Sequence, residues 1–108
     1  MAEVSVVKVK VDMWGGNHWE LLEDVRRRID NDESSILLDF SPVKRINSTG
    51  VSVVAACLKA ARDAGGDLKL CSLNTAVSQV FTISGMQRVL EMYPDEQSAI
   101  QSFAAESE

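Results

Sequence analysis

The chain has 108 residues, of which 45% are apolar and 25% are charged, and its formal net charge is −5 at pH 7. This length predicts a single domain over residues 1–108 with a core of its own. The acidic balance argues against direct binding of nucleic acid, which needs a basic face for the phosphates. The sequence lacks a signal-peptide pattern and any apolar stretch near the ~20 residues of a membrane helix, so we expect a cytoplasmic protein that does not enter a membrane.

Short apolar stretches that are typical of strands recur along the chain. From Val4 to Val11 the later residues alternate between valine and lysine, which predicts a strand with one wet face. Residues 35–40 form a short apolar run without alternation, which is typical of a buried central strand. Two more strands are predicted over residues 68–71 and 89–92. Helical patterns separate these strands, and this alternation favours an α/β fold with a mostly parallel sheet.

Each predicted helix begins at residues that are good helix caps. The first begins at Asn17, with Glu20 as its capping-box partner, and the others begin at residues 47–49, at Asn74 and at residues 94–95. Residues 65–66 and 84–85 are expected to end the second and third helices, and residues 104–108 to form a frayed tail. The side chains predicted to face inward are Leu21, Leu22, Val25, Ile29, Val51, Val54, Ala55, Leu58, Ala61, Val77, Val80, Phe81, Ile83, Ala99, Ile100 and Phe103.

The usual catalytic and cofactor signatures are missing from the sequence. His18 is the single histidine, and Cys57 and Cys71 lie in apolar runs, as buried reduced thiols do. Nucleotide-binding glycine loops, a nucleophile elbow and a zinc-ligand pattern are also missing. We therefore expect no enzyme activity, no metal and no cofactor.

Three polar residues in a row, Asn47, Ser48 and Thr49, precede Gly50 at the predicted start of the second helix. One interpretation is a helix cap, since their side chains accept hydrogen bonds from free backbone N–H groups. The other is a functional hydroxyl, because one cap suffices and the glycine leaves the hydroxyls accessible. The residue types alone leave both interpretations open.

The sequence around this junction resembles the STAS-domain signature. Residues 39–43 followed by residues 46–51 match an apolar strand that leads to D-S-[ST]-G-[LV]. Similar stretches follow in the same order up to residues 95–100. The resemblance covers about residues 36–103.

This resemblance implies a fold with a four- or five-stranded, mostly parallel sheet and about four helices packed mainly on one side. It also implies an anti-sigma factor antagonist that binds an anti-sigma factor of the GHKL-type serine kinase class. The kinase phosphorylates the first hydroxyl of the motif, here Ser48, and thereby releases the antagonist. A phosphatase, expected to be of the PP2C type, restores it. Thr49 is then expected to cap the helix or support the loop.

Five residues are expected to contact the partner: Asn47, Thr49, Gly50, Asp12 and Trp14. Asn47 replaces the acidic residue of the family motif, and residues 11–16 replace its G-x-[LI]-D stretch. Both departures favour an alternative, a STAS scaffold or transport-accessory domain in which the hydroxyls only cap the helix. Burial is predicted for Trp19, whereas Trp14 is equally compatible with burial and with an exposed partner surface.

Overall fold

Four strands and four α-helices alternate along the part of the chain that the computed structural model describes, residues 3–9 and 19–107, with side chains described as far as residue 105. They are β1 (Ser5–Lys8), α1 (Trp19–Asp30), β2 (Ser35–Asp39), α2 (Ser48–Asp63), β3 (Asp67–Cys71), α3 (Thr75–Ile83), a 3₁₀ turn (Met86–Arg88), β4 (Glu91–Tyr93) and α4 (Glu96–Ser107). The four described strands form one sheet in the order β1-β2-β3-β4, and every neighbouring pair is parallel. The predicted α/β class and parallel sheet are confirmed.

The two faces of the sheet are covered unequally. The larger core lies between one face and helices α1, α2 and α3, and β2 contributes Ile36 and Leu38 to it. The opposite face is covered by α4, whose Ala99 and Phe103 pack with Leu37 and Cys71. Because helices pack on both faces, β2 has no exposed face, which explains why its sequence does not alternate. The helices therefore lie mainly on one side, as expected.

The last strand lies further along the chain than predicted. Residues 86–88 form a 3₁₀ turn, and the backbone N–H of Leu90 donates to the carbonyl of Met86 at 2.8 Å. The turn keeps Val89 out of the sheet and leaves it 44% exposed. As a result the strand covers residues 91–93.

Two further expectations about single residues were wrong. Ile83 is 86% exposed, because it follows Phe81 by two residues and so points to the opposite side of α3. Trp19 is 52% exposed. It is the first residue of α1 and lies outside the buried face of that helix, to which Val25 belongs. The expected frayed tail is helical as far as residue 107, where Ala104 and Ala105 are strong helix formers.

Several expectations concern residues that lie outside the described ranges. Asp12, Trp14, the Asn17 cap and His18 all fall within residues 10–18. The inward face predicted for α1 is confirmed, since Leu21, Leu22 and Val25 are buried and Ile29 packs against them. Among the described residues, no helix is long and apolar enough to cross a bilayer.

Gly85 provides a direct test of how α3 ends. Its φ of +83° is a left-handed conformation, and its N–H donates to the carbonyl of Thr82 at 3.1 Å. Because a side chain is strained in this conformation, Gly85→Ala should lower the free energy of unfolding by about 1 kcal/mol. Gly85→Asn should cost less, since asparagine tolerates this region better. Urea unfolding of the wild type and both variants measures the difference, and a Gly85→Ala protein as stable as the wild type would contradict the cap.

Candidate functional site

The Ser48 hydroxyl lies at the carboxyl edge of the sheet, where a loop connects β2 to α2. Two apolar side chains anchor this loop, since Val43 and Ile46 are 2% and 3% exposed. A turn also holds its first part, with the N–H of Val43 donating to the carbonyl of Phe40 at 2.9 Å. The loop therefore has a defined path up to the first residue of α2, which is Ser48.

The helix cap is Asn47. Its backbone is extended, with φ −114° and ψ −178°, and its Oδ1 accepts from the N–H of Gly50 at 2.9 Å. The Asn47 carbonyl accepts the first helical hydrogen bond, from the N–H of Val51 at 3.0 Å. Of the two roles expected for Thr49, capping the helix is wrong, because Thr49 already lies inside the first turn, and support of the loop stays a prediction. The cap function is thus supplied by the residue that precedes Ser48.

With the cap supplied by Asn47, the Ser48 side chain is available for another role. Ser48 and Thr49 are exposed, whereas Gly50 is buried. One turn later the Ser52 hydroxyl, which is also exposed, donates to the Ser48 carbonyl at 3.0 Å. The outer surface of the first turns of α2 therefore consists of hydroxyl groups.

This surface carries little charge of its own. Between Ser48 and Leu58, α2 has no charged residue, and α3 has none along its whole length. Lys44 and Arg45, both exposed, lie in the preceding loop and are the nearest basic residues in sequence. The site is thus an uncharged helix surface next to a short basic segment.

The start of α3 is tied to the same loop by Asn74. Its Oδ1 accepts from the N–H of Val77 at 2.8 Å, which caps α3 as predicted. Its Nδ2 donates to the carbonyls of Val43 at 3.3 Å and Lys44 at 3.1 Å. The sequence identified this asparagine as a cap, but nothing in the local pattern signalled its contact with the loop.

Metal ligands and a reactive thiol were sought among the described residues around the site. In residues 3–9 and 19–107, no group of three or more His, Cys, Asp or Glu could hold a metal ion. Burial raises the pKa of the Cys57 thiol to about 12, so this thiol is protonated at neutral pH and is a poor nucleophile. The groups that this surface presents to solvent are the hydroxyls of Ser48, Thr49 and Ser52.

The contribution of the α2 cap can be measured directly. Asn47→Ala removes the acceptor for the Gly50 N–H and should lower the free energy of unfolding by about 1 kcal/mol. Asn47→Asp keeps a side-chain oxygen at the cap and should retain most of this stability. Denaturant unfolding compares the three proteins. If Asn47→Asp loses as much unfolding free energy as Asn47→Ala, Asn47 does not stabilise the protein as a helix cap.

Comparison with known proteins places this site in context. Residues 2–99 match the model of the STAS domain. BtrV of Bordetella bronchiseptica, which is named as an anti-sigma factor antagonist, is 30% identical over 87 residues, which cover 81% of this chain and 75% of BtrV. Both matches include the β2–α2 junction.

Solved structures share the fold at lower identity. The crystal structure of a Thermotoga maritima protein that is named as an anti-sigma factor antagonist has a TM-score of 0.82 and 22% identity, over 94% of this chain and 87% of that one. The murine anion transporter Slc26a9 also gives a TM-score of 0.82, with 18% identity, over 97% of this chain but only 18% of the transporter. This fold therefore occurs both as a small protein and as part of a transporter. The present chain belongs to the STAS domain family and is related to anti-sigma factor antagonists.

Proposed function

We propose that this protein is an anti-sigma factor antagonist in a partner-switching system. In its unmodified form it binds an anti-sigma factor of the GHKL-type serine kinase class, and phosphorylation of Ser48 releases it. The observation that carries the proposal is the exposed Ser48 hydroxyl at the first position of α2, with its cap supplied by Asn47. A PP2C-type phosphatase would remove the phosphate. The protein acts by binding, in the cytoplasm, and catalyses no reaction.

The helix start explains how the domain itself would tolerate the modification. A phosphate on Ser48 adds about −1.5 to −2 charges at neutral pH. At the amino end of a helix, the partial positive charge and the free N–H groups interact favourably with an anion. The fold should therefore remain intact when Ser48 is phosphorylated.

A bound partner would accommodate a phosphate on Ser48 less well than the free domain does. Around Ser48 the outer surface of α2 consists of hydroxyl groups and carries no charge as far as Leu58. A partner packed against this surface would enclose the phosphate and remove its water. This desolvation costs several kcal/mol for an ion that is not paired with an opposite charge. One modification can thus change binding strongly while the antagonist keeps its structure.

Phosphorylation is tested by incubating the protein with ATP and each GHKL-type kinase encoded in the source genome, followed by phosphopeptide mass spectrometry. We expect one phosphate, on Ser48, and none after Ser48→Ala. Thr49→Ala is the matched control, since it removes the neighbouring exposed hydroxyl and should leave the phosphate on Ser48. If phosphate appears only at other residues, the protein is better described as a STAS scaffold or transport-accessory domain.

A further inference from the structure

Asn74 makes contacts in two directions at once. Its side-chain oxygen caps α3 through the N–H of Val77, and its side-chain nitrogen donates to the carbonyls of Val43 and Lys44. Those two carbonyls belong to the loop that ends at Asn47 and Ser48. One amide group therefore joins the first turn of α3 to the loop that carries the candidate phosphorylation site.

A helix cap alone does not require this residue. Serine or aspartate caps a helix about as well as asparagine does. Neither can donate two hydrogen bonds to neighbouring carbonyls while also accepting one from the helix, because an ionised carboxylate only accepts and a serine hydroxyl has a single proton. The amide is the group that satisfies both directions.

Asn74 holds the part of this loop that is exposed to solvent. Val43 and Ile46 anchor the loop in the core, but the residues between them, Lys44 and Arg45, are exposed. The bond from Asn74 to the Lys44 carbonyl restrains the backbone in this exposed part, three residues before Asn47. Its loss would let the segment leading to the α2 cap shift.

We propose that Asn74 is a positioning residue that fixes the β2–α2 loop and so sets the placement of the Ser48 hydroxyl for phosphoryl transfer. The consequence for phosphorylation rests on the function proposed above, whereas the consequence for the loop does not. Phosphoryl transfer depends on the alignment of the attacking hydroxyl, so a small displacement of Ser48 lowers the rate. Asn74 itself does not touch the reacting atoms.

Two variants separate the two directions of contact. Asn74→Ser keeps a cap for α3 and removes the amide donors, and Asn74→Asp keeps the cap and turns a carboxylate toward two carbonyls. The matched control is Asp95→Ala, which removes a helix cap on the other face of the sheet, where the Asp95 carboxylate accepts from the N–H of Ser98 at 2.7 Å. The control loses a cap without touching the loop.

The first measurement needs no kinase. In ¹H–¹⁵N spectra of the full chain, both Asn74 variants should shift the amide signals of residues 43–49, with the larger shifts in Asn74→Asp. Asp95→Ala should shift signals of α4 and leave residues 43–49 in place. If the Asn74 variants leave the loop signals as unchanged as Asp95→Ala does, the positioning role is refuted, whatever the kinase does.

The second measurement is the rate of Ser48 phosphorylation, well below the unfolding midpoint of each variant. Both Asn74 variants should lower kcat/KM about tenfold or more, and Asp95→Ala should match the wild type. Shifted loop signals with an unchanged kcat/KM would refute the role in phosphorylation. If no kinase phosphorylates the wild-type protein at Ser48, the proposed function is refuted. The spectra would still show whether Asn74 restrains the loop.

Discussion

Replacing Gly66 with alanine should cost at least about 3 kcal/mol of unfolding free energy, because the new side chain has no space. A Cβ at this position would lie 2.0 Å from the carbonyl oxygen of Ser34 and 2.5 Å from its carbonyl carbon. Backbone hydrogen bonds hold both segments, since the N–H of Gly66 donates to Ala61 and the N–H of Asp67 donates to Ser34. The clash can be relieved only by separating the starts of β2 and β3.

Gly65→Ala is the control for this substitution. Gly65 has a φ of +87°, but no atom lies within 4 Å of the position its Cβ would take. Alanine there should cost about 1 kcal/mol of backbone strain. Urea unfolding of both variants separates the effect of the steric clash at Gly66 from that of backbone strain. Equal losses of unfolding free energy at the two positions would show that Gly66 matters only for its backbone freedom.

The second large effect concerns binding. Ser48→Asp should weaken the affinity for the GHKL-type anti-sigma factor by about 30-fold, which corresponds to ~2 kcal/mol, because a carboxylate would be enclosed on an uncharged surface. The free protein should remain folded, since aspartate is favourable in the first turn of a helix. Calorimetric titration measures the change.

Ser48→Asn is the matched control for Ser48→Asp. Asparagine has nearly the same size and shape as aspartate but no charge, so it isolates the electrostatic contribution. We expect its affinity to stay closer to that of the wild type than that of the Asp variant. An equal loss for both variants would indicate that steric fit, and not charge, decides binding at Ser48.

Much of the fold could be predicted because local patterns and tertiary contacts agree. The lack of alternation in β2 follows from burial on both faces, and the asparagine before α2 is the cap that its residue type suggests. The start of α2 at Ser48 could be predicted for the same reason, whereas the role of Ser48 was inferred from the family resemblance and stays a prediction. Patterns were misleading where an irregular turn intervened, as at Val89, and where an apolar residue lies on the outer side of a helix, as at Ile83.

Contacts between segments that are far apart in the sequence could not be predicted from local patterns. Lys69 in β3 has a fully buried side chain, although a lysine is expected at the surface. Its Nζ lies 2.8 Å from the Ser102 hydroxyl and 3.0 Å from a Glu91 carboxylate oxygen, and 4.7 Å from the centre of the Phe103 ring. These partners come from β4 and α4, so no local pattern around Lys69 reports them. The bonds from Asn74 to the β2–α2 loop were missed for the same reason.

The central claim is that phosphate on Ser48 controls partner binding. The most direct test is to prepare the protein with one phosphate, verified at Ser48, and to compare its affinity for the GHKL-type anti-sigma factor with that of the unmodified protein by calorimetry. We predict tight binding of the unmodified protein, binding weakened by about 100-fold or more in the phosphorylated protein, and recovery after treatment with a PP2C-type phosphatase. Equal affinities of the two forms would contradict the phosphorylation switch.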